Sequence, residues 1–173
     1  MNFDDLSSEE LDQHVMERLV FAEEELSPIL KGHLFIEKVL ETLISRNLVE
    51  PKTFFRSTRS YDLKVDLAFA MGLLNNKYYS AFKAINKVRN NYAHKHDYKV
   101  TLEELNAFKF DWVEVQKKAF AVACEKSIGE GASIATMFLC WKAIHLWTDP
   151  TTVDISCPHD EACSKASGLT PPR

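Results

Sequence analysis

The chain has 173 residues, 46% apolar and 27% charged, proportions that suit one soluble globular domain and exclude a disordered or collagen-like chain. Five glycines and an abundance of Leu, Ala, Glu and Lys favour an all-α fold. The net charge of −4 excludes a uniformly basic nucleic-acid binder, but it is unevenly spread.

Residues 1–50 hold 12 acids against 4 bases, residues 51–99 hold 3 against 10, and the remainder 10 against 7. A basic middle third in an acidic protein either faces a polyanion or pairs with the acidic first helix. The four cysteines lie at 124, 140, 157 and 163, and the start MNFDDLSSEELDQ lacks the basic-then-apolar order of a secretion signal. A reduced, cytoplasmic protein is expected. The apolar run at 135–141 is too short to cross a bilayer, so no membrane segment is expected.

In chain order, a first helix is expected over Ser8–Glu25, where Ser7-Ser8-Glu9-Glu10 supplies a capping box and Leu11, Val15, Leu19 and Ala22 recur at helical spacing. Ser27-Pro28 reads as an N-cap and first helical position. The second helix then runs to about Asn47 with a wide apolar face. His33 on that face reads as a core histidine. Glu37 and Glu41, one turn apart, read as a solvated or ion-paired face rather than an acid pair. VEPKTFFRSTRSY is a basic connection. YDLKVDLAFAMG forms a third helix ending at Gly72, a left-handed cap. Asn75 or Asn76 caps the fourth, NKYYSAFKAINKVRNNYA, whose Tyr78, Phe82, Ile85 and Val88 share one side.

After the polar turn HKHDYKV, the capping box Thr101-Leu102-Glu103-Glu104 opens a fifth helix extending to about Lys126. IGEGA, with its two glycines, reads as a break. ASIATMFLCWKAIHLW is the most apolar helix and belongs in the core or a subunit interface, with His145 read as a core histidine. These elements make an up-and-down bundle of about five to six helices over residues 1–148, followed by a polar tail at 149–173. In that tail, Cys157, His159 and Cys163 lack both a fourth ligand and the usual C-x2-C spacing of a zinc site. No metal or other cofactor is expected. Phosphate-binding loops, dinucleotide fingerprints and nucleophile elbows are absent.

The stretch that carries chemistry is RNNYAH, residues 89–94. Five helical residues turn through about 500°, about 140° net, so Arg89 and His94 diverge on a straight helix. Asn90-Asn91, weak helix formers, mark where a bend would let them converge. Near a helix C-terminus both side chains also complement the dipole.

An R-x4-H element ending a long helix resembles the signature of HEPN-domain proteins. The segment DLKVDLAFAMGLLNNKYYSAFKAINKVRNNYAH is similar to the mannitol operon repressor family and related small HEPN-like proteins. The likeness spans roughly residues 28–100. It implies an all-α bundle that dimerises through its motifs and, in catalytic members, metal-independent endoribonuclease activity of a toxin–antitoxin or phage-defence kind. Carried over, Arg89, Asn90 and His94 would form the catalytic site. The chain departs from many toxin-type members, which continue as His-x-Tyr. Here Lys95 and His96 follow His94, and the nearest tyrosine is Tyr98.

In such chemistry a histidine near neutrality takes the RNA 2′-hydroxyl proton, while a guanidinium stabilises the charge gathering on phosphate. Asn90 would position a phosphate or orient the histidine. The second proton carrier would be His94 of a two-fold partner, or His96. Lys87, Lys95 and Lys99 are candidate phosphate contacts, Tyr92 a stacking platform or core residue, and His96 and Tyr98 further substrate contacts. The expected partners are RNA, a second copy of the chain, and a neutralising antitoxin protein. The rival expectations are a non-catalytic regulator resembling the mannitol operon repressor, acting through protein contacts, and a helical adaptor whose motif holds the dimer.

Overall fold

The computed structural model describes residues 26–95 and 98–148. It is all-α, with seven helices and no strand among the described residues: α1 (Leu26–Asn47), α2 (Pro51–Phe54), α3 (Tyr61–Ala70), α4 (Asn76–His94), α5 (Leu102–Asn106), α6 (Glu114–Lys126) and α7 (Ile128–Thr148). The predicted helix at 8–25, the tail and its cysteines lie outside the described residues. None of the described helices is long and apolar enough to cross a membrane.

The longest helices meet in the middle. α1 packs on α7 and, from its other flank, on α3 and α4, while α6 and α5 close over α7. α1 buries Ile29, Ile36, Val39, Leu40, Leu43 and Ile44, and α4 buries Tyr78, Phe82, Ile85 and Val88. α7 buries Ala132, Ala135, Met137 to Cys140, Ala143, Ile144, Leu146 and Trp147, as expected of the most apolar helix. Each buried Leu, Ile or Phe contributes about 1.5–3 kcal/mol relative to exposure, and the sum offsets the chain's conformational entropy. α1 and α7 approach closely because residue 32 is glycine: a Cβ there would collide with the buried Thr136 side chain.

Several boundaries follow local chemistry. Ser60 caps α3 by accepting the Leu63 N–H, and Asn75 caps α4 by accepting from Lys77 and Tyr78. Gly72, at φ 72°, ends α3 in a Schellman turn. Leu73 N–H donates to Ala68 O and Gly72 N–H to Phe69 O, both at 2.9 Å. The Thr101–Glu104 capping box forms as predicted.

Four expectations are corrected. α1 is already helical at Leu26, so Ser27 lies inside it rather than capping it. The connection at 48–60 contains the one-turn helix α2, with proline in its first turn. The predicted fifth helix is two helices. Phe108, Phe110 and Trp112 face the core at every second residue, a spacing that a continuous helix does not satisfy. Phe110 packs on Tyr78 at 4.7 Å and Trp112 on Phe138 at 5.2 Å. Lys77 holds the Asp111 carboxylate at 2.7 Å and Lys142 its carbonyl at 3.1 Å, fixing that residue at φ 48°. Finally, IGEGA is helical. The chain turns at Ser127, whose hydroxyl accepts the Glu130 N–H at 3.0 Å. Gly131 instead permits close approach to Cys124.

Candidate functional site

The fourth helix carries two different polar stripes. On its packed side, Asn86 falls one residue beyond Ile85 on the apolar face of Tyr78 and Phe82, and it is buried. Its side chain joins helices: Asn86 Oδ1 lies 2.9 Å from His33 Nε2, and Asn86 Nδ2 donates to Asp62 Oδ1 at 3.0 Å. The His33 ring stacks on Tyr61 at 4.0 Å. Burial lowers the His33 pKa below its usual 6.5, against the opposing Asn86 hydrogen bond and Glu37 charge, while Arg89 and Lys64 add to the lowering. His33 is thus the core histidine the sequence suggests, and Arg89 is near enough to oppose its protonation.

One turn further along α1, Glu37 and Glu41 each take Lys64 Nζ at 2.7 Å. Lys64 is 4% exposed. Burial disfavours its charge, but the hydrogen bonds and charges of the two glutamates outweigh this and leave its pKa raised. The Glu37/Glu41 pair is therefore ion-paired, the expected arrangement.

The other stripe is Lys83, Lys87, Asn90 and His94, spaced i, i+4, i+7 and i+11 and so on one helical face. Lys83 is held by Asp66 at 2.7 Å and Asp62 at 3.1 Å. Lys87 and His94 are exposed, and Asn90 is half-buried. The bend expected at Asn90-Asn91 is absent: α4 is unbroken to His94, and Lys95 N–H donates to Asn91 O at 2.9 Å. What reaches across is the Arg89 side chain, whose Nη1 donates to Asn90 Oδ1 at 3.1 Å. Arg89 is thereby tied to the stripe that ends in His94 through a long side chain rather than a distorted backbone.

The end of α4 is braced from outside. Glu104 accepts hydrogen bonds from the Tyr98 hydroxyl and, at 3.0 Å, from Thr101 N–H, while Asn91 Nδ2 reaches its other oxygen at 3.4 Å. Tyr92 and Tyr98 meet edge to face at 4.7 Å, with Lys95 Nζ 5.7 Å from the Tyr98 ring. Burial and the Glu104 hydrogen bond push the Tyr98 phenol well above its usual range. Burial raises Glu104, but its hydrogen bonds from Tyr98 and Thr101 prevail and leave it lowered, helped by the charge of Lys87.

Compared with protein families, curated proteins and solved structures, the chain matches none.

Of the predicted site residues, the structure therefore brings Arg89 to Asn90 and sets Lys87, Asn90 and His94 on one face. It joins Tyr92, Lys95 and Tyr98 in the adjoining brace. His96 lies outside the described residues. His145, read as a core histidine, is exposed instead, because the buried Ala143, Ile144, Leu146 and Trp147 occupy the opposite face of the helix. Among the described residues no three His, Cys, Asp or Glu side chains are grouped as metal ligands. Sequence reasoning overlooked Glu104 as the brace and Asn86 as the helix connector. The signal for Asn86 was an amide in an apolar stripe. Glu104 was legible only as a cap.

Proposed function

We propose that the protein is a HEPN-like, metal-independent endoribonuclease whose site is the Arg89–Asn90–His94 end of α4, completed by a second copy of the chain. The observation that carries this reading is the Arg89–Asn90 hydrogen bond. It sets a permanent cation beside the face that also presents Lys87 and His94 to solvent. A guanidinium steadied by an amide suits charge accumulating on a phosphate, and an accessible imidazole suits proton transfer. One His94 serves poorly as base and acid in the same step, and on an unbroken helix it diverges from Arg89 by about 140°. A two-fold pairing of α4 ends places one chain's histidine across from the other's arginine. The reading places the protein in the cytoplasm, in a toxin–antitoxin or phage-defence setting with a neutralising protein partner.

The test is cleavage of a mixed RNA pool by the purified protein in EDTA. Wild type is expected to leave 2′,3′-cyclic phosphate ends, and His94→Ala to lose at least a hundredfold in rate, as expected for a general base. No cleavage by folded, dimeric wild type would overturn the proposal. It would favour the regulator resembling the mannitol operon repressor, a reading to which the divergence of Arg89 and His94 within one chain also lends weight.

A further inference from the structure

The basic connection that the RNA reading leaves unused borders a cavity of about 520 Å³, between the C-terminal half of α1, the segment after α2 and the start of α3. That volume falls within the range of small-molecule sites, about 300–1,000 Å³. Its walls share no residue with the Arg89–His94 end. Four cations line it, but they are not equivalent. Lys38 and Lys64 are engaged by Glu41, and Lys64 also by Glu37, so these four charges cancel. Arg56 and Arg59 remain without a carboxylate partner among the described residues.

Arg59 is preorganised. Its Nε donates to Phe54 O at 2.9 Å, and the guanidinium sits 5.0 Å from the Phe54 ring centroid, leaving the two Nη groups unused by that bond. Arg56 is exposed beside it. Ser57 and Thr58 lie between the two arginines in sequence, Ser45 faces them from α1, and Phe55 supplies an apolar wall. Two forked cations, without a carboxylate partner among the described residues and with hydroxyl donors around one concave space, match the geometry and charge of a phosphate dianion.

We infer that this cavity binds a small phosphorylated ligand, its phosphate between Arg56 and Arg59 and its organic part against Phe55. The proposal stands independently of RNA cleavage. Calorimetric titration of the full chain with pyrophosphate tests it. Wild type should bind saturably at one site per chain. Arg56→Ala, which removes an exposed side chain without an ion-pair partner among the described residues, should weaken binding at least tenfold with an unchanged circular dichroism spectrum. Arg59→Lys should weaken it similarly, because charge is kept and the fork is lost. Lys52→Ala, exposed and outside the cavity, should bind as wild type does. The inference is overturned by absence of saturable binding to wild type, by wild-type affinity in Arg56→Ala, or by equal weakening in Lys52→Ala. Displacement of pyrophosphate by an RNA hexamer lacking terminal phosphates, lost in Arg56→Ala, would also overturn it and make the cavity part of an RNA path.

Discussion

Two polar clusters sit on the same helix bundle and are built oppositely. In the first, around α1, α3 and the middle of α4, Lys64 and His33 are buried and hydrogen-bonded to Glu37, Glu41 and Asn86. In the second, at the end of α4, Arg89 makes one hydrogen bond to its neighbour and His94 is open to solvent. A buried charge is tolerated only when paired and hydrogen-bonded, so the first cluster is committed to holding helices together. The second leaves donors and an imidazole ring exposed to solvent. Residue type alone does not separate the two.

The largest expected effect tests the committed cluster. Lys64→Ala leaves the Glu37 and Glu41 carboxylates facing each other without their shared cation. The loss should be about 3 kcal/mol, the lower end for a broken buried pair because both glutamates are partly exposed. Urea unfolding monitored by circular dichroism checks it, and a loss below about 1 kcal/mol would break the contrast. The sign of the pH dependence follows from the same pairing. Burial raises Glu41, but hydrogen bonds from Lys64 and Lys38 outweigh this and hold its pKa below the usual 4.5. Its contribution is present above that value and lost as pH falls through the lower folded one.

A middle-sized effect is expected at His33. Its folded pKa lies below 6.5, so the unfolded chain takes up a proton first and stability falls as pH drops below 6.5. His33→Phe keeps a ring against Tyr61 but leaves Asn86 Oδ1 unpaired, at a cost of about 1–3 kcal/mol. It should also flatten the loss of melting temperature between pH 6.5 and 5. Retention of the full wild-type slope in the variant would assign that slope to other groups.

The smallest effect sharpens the comparison from the other side. His94→Ala should change stability by less than about 0.5 kcal/mol, as for an exposed position without structural partners among the described residues, measured in the same urea titrations. A loss rivalling that of Lys64→Ala would make the α4 end structural as well.

Legibility in the sequence followed the range of the interactions. The caps at Asn75 and Thr101, the left-handed Gly72 and the apolar faces of α1 and α4 could be read from neighbours a few residues apart. The split between α5 and α6 could not, because helix propensity in the residues after Thr101 competes with packing of Phe110 on Tyr78 and Trp112 on Phe138, partners more than twenty positions away. The IGEGA error has the same origin: glycine lowers helix propensity, yet a tight α6–α7 contact uses its missing side chain. At the candidate site the sequence named Arg89, Asn90 and His94, but it pictured a bent helix bringing them together. The helix instead runs unbroken to His94, and a side-chain hydrogen bond links the first two.

By itself, then, the sequence determined an all-α chain, most of its helix ends and the polar cluster of residue types at 89–94, since these rest on periodicity, capping and residue type within a turn or two. The tertiary structure decided which polar groups are spent and which remain available. That outcome depends on desolvation and on partners such as Lys64 with Glu37, or His33 with Asn86, brought together from positions 27 and 53 residues apart. Local propensity carries no information about either.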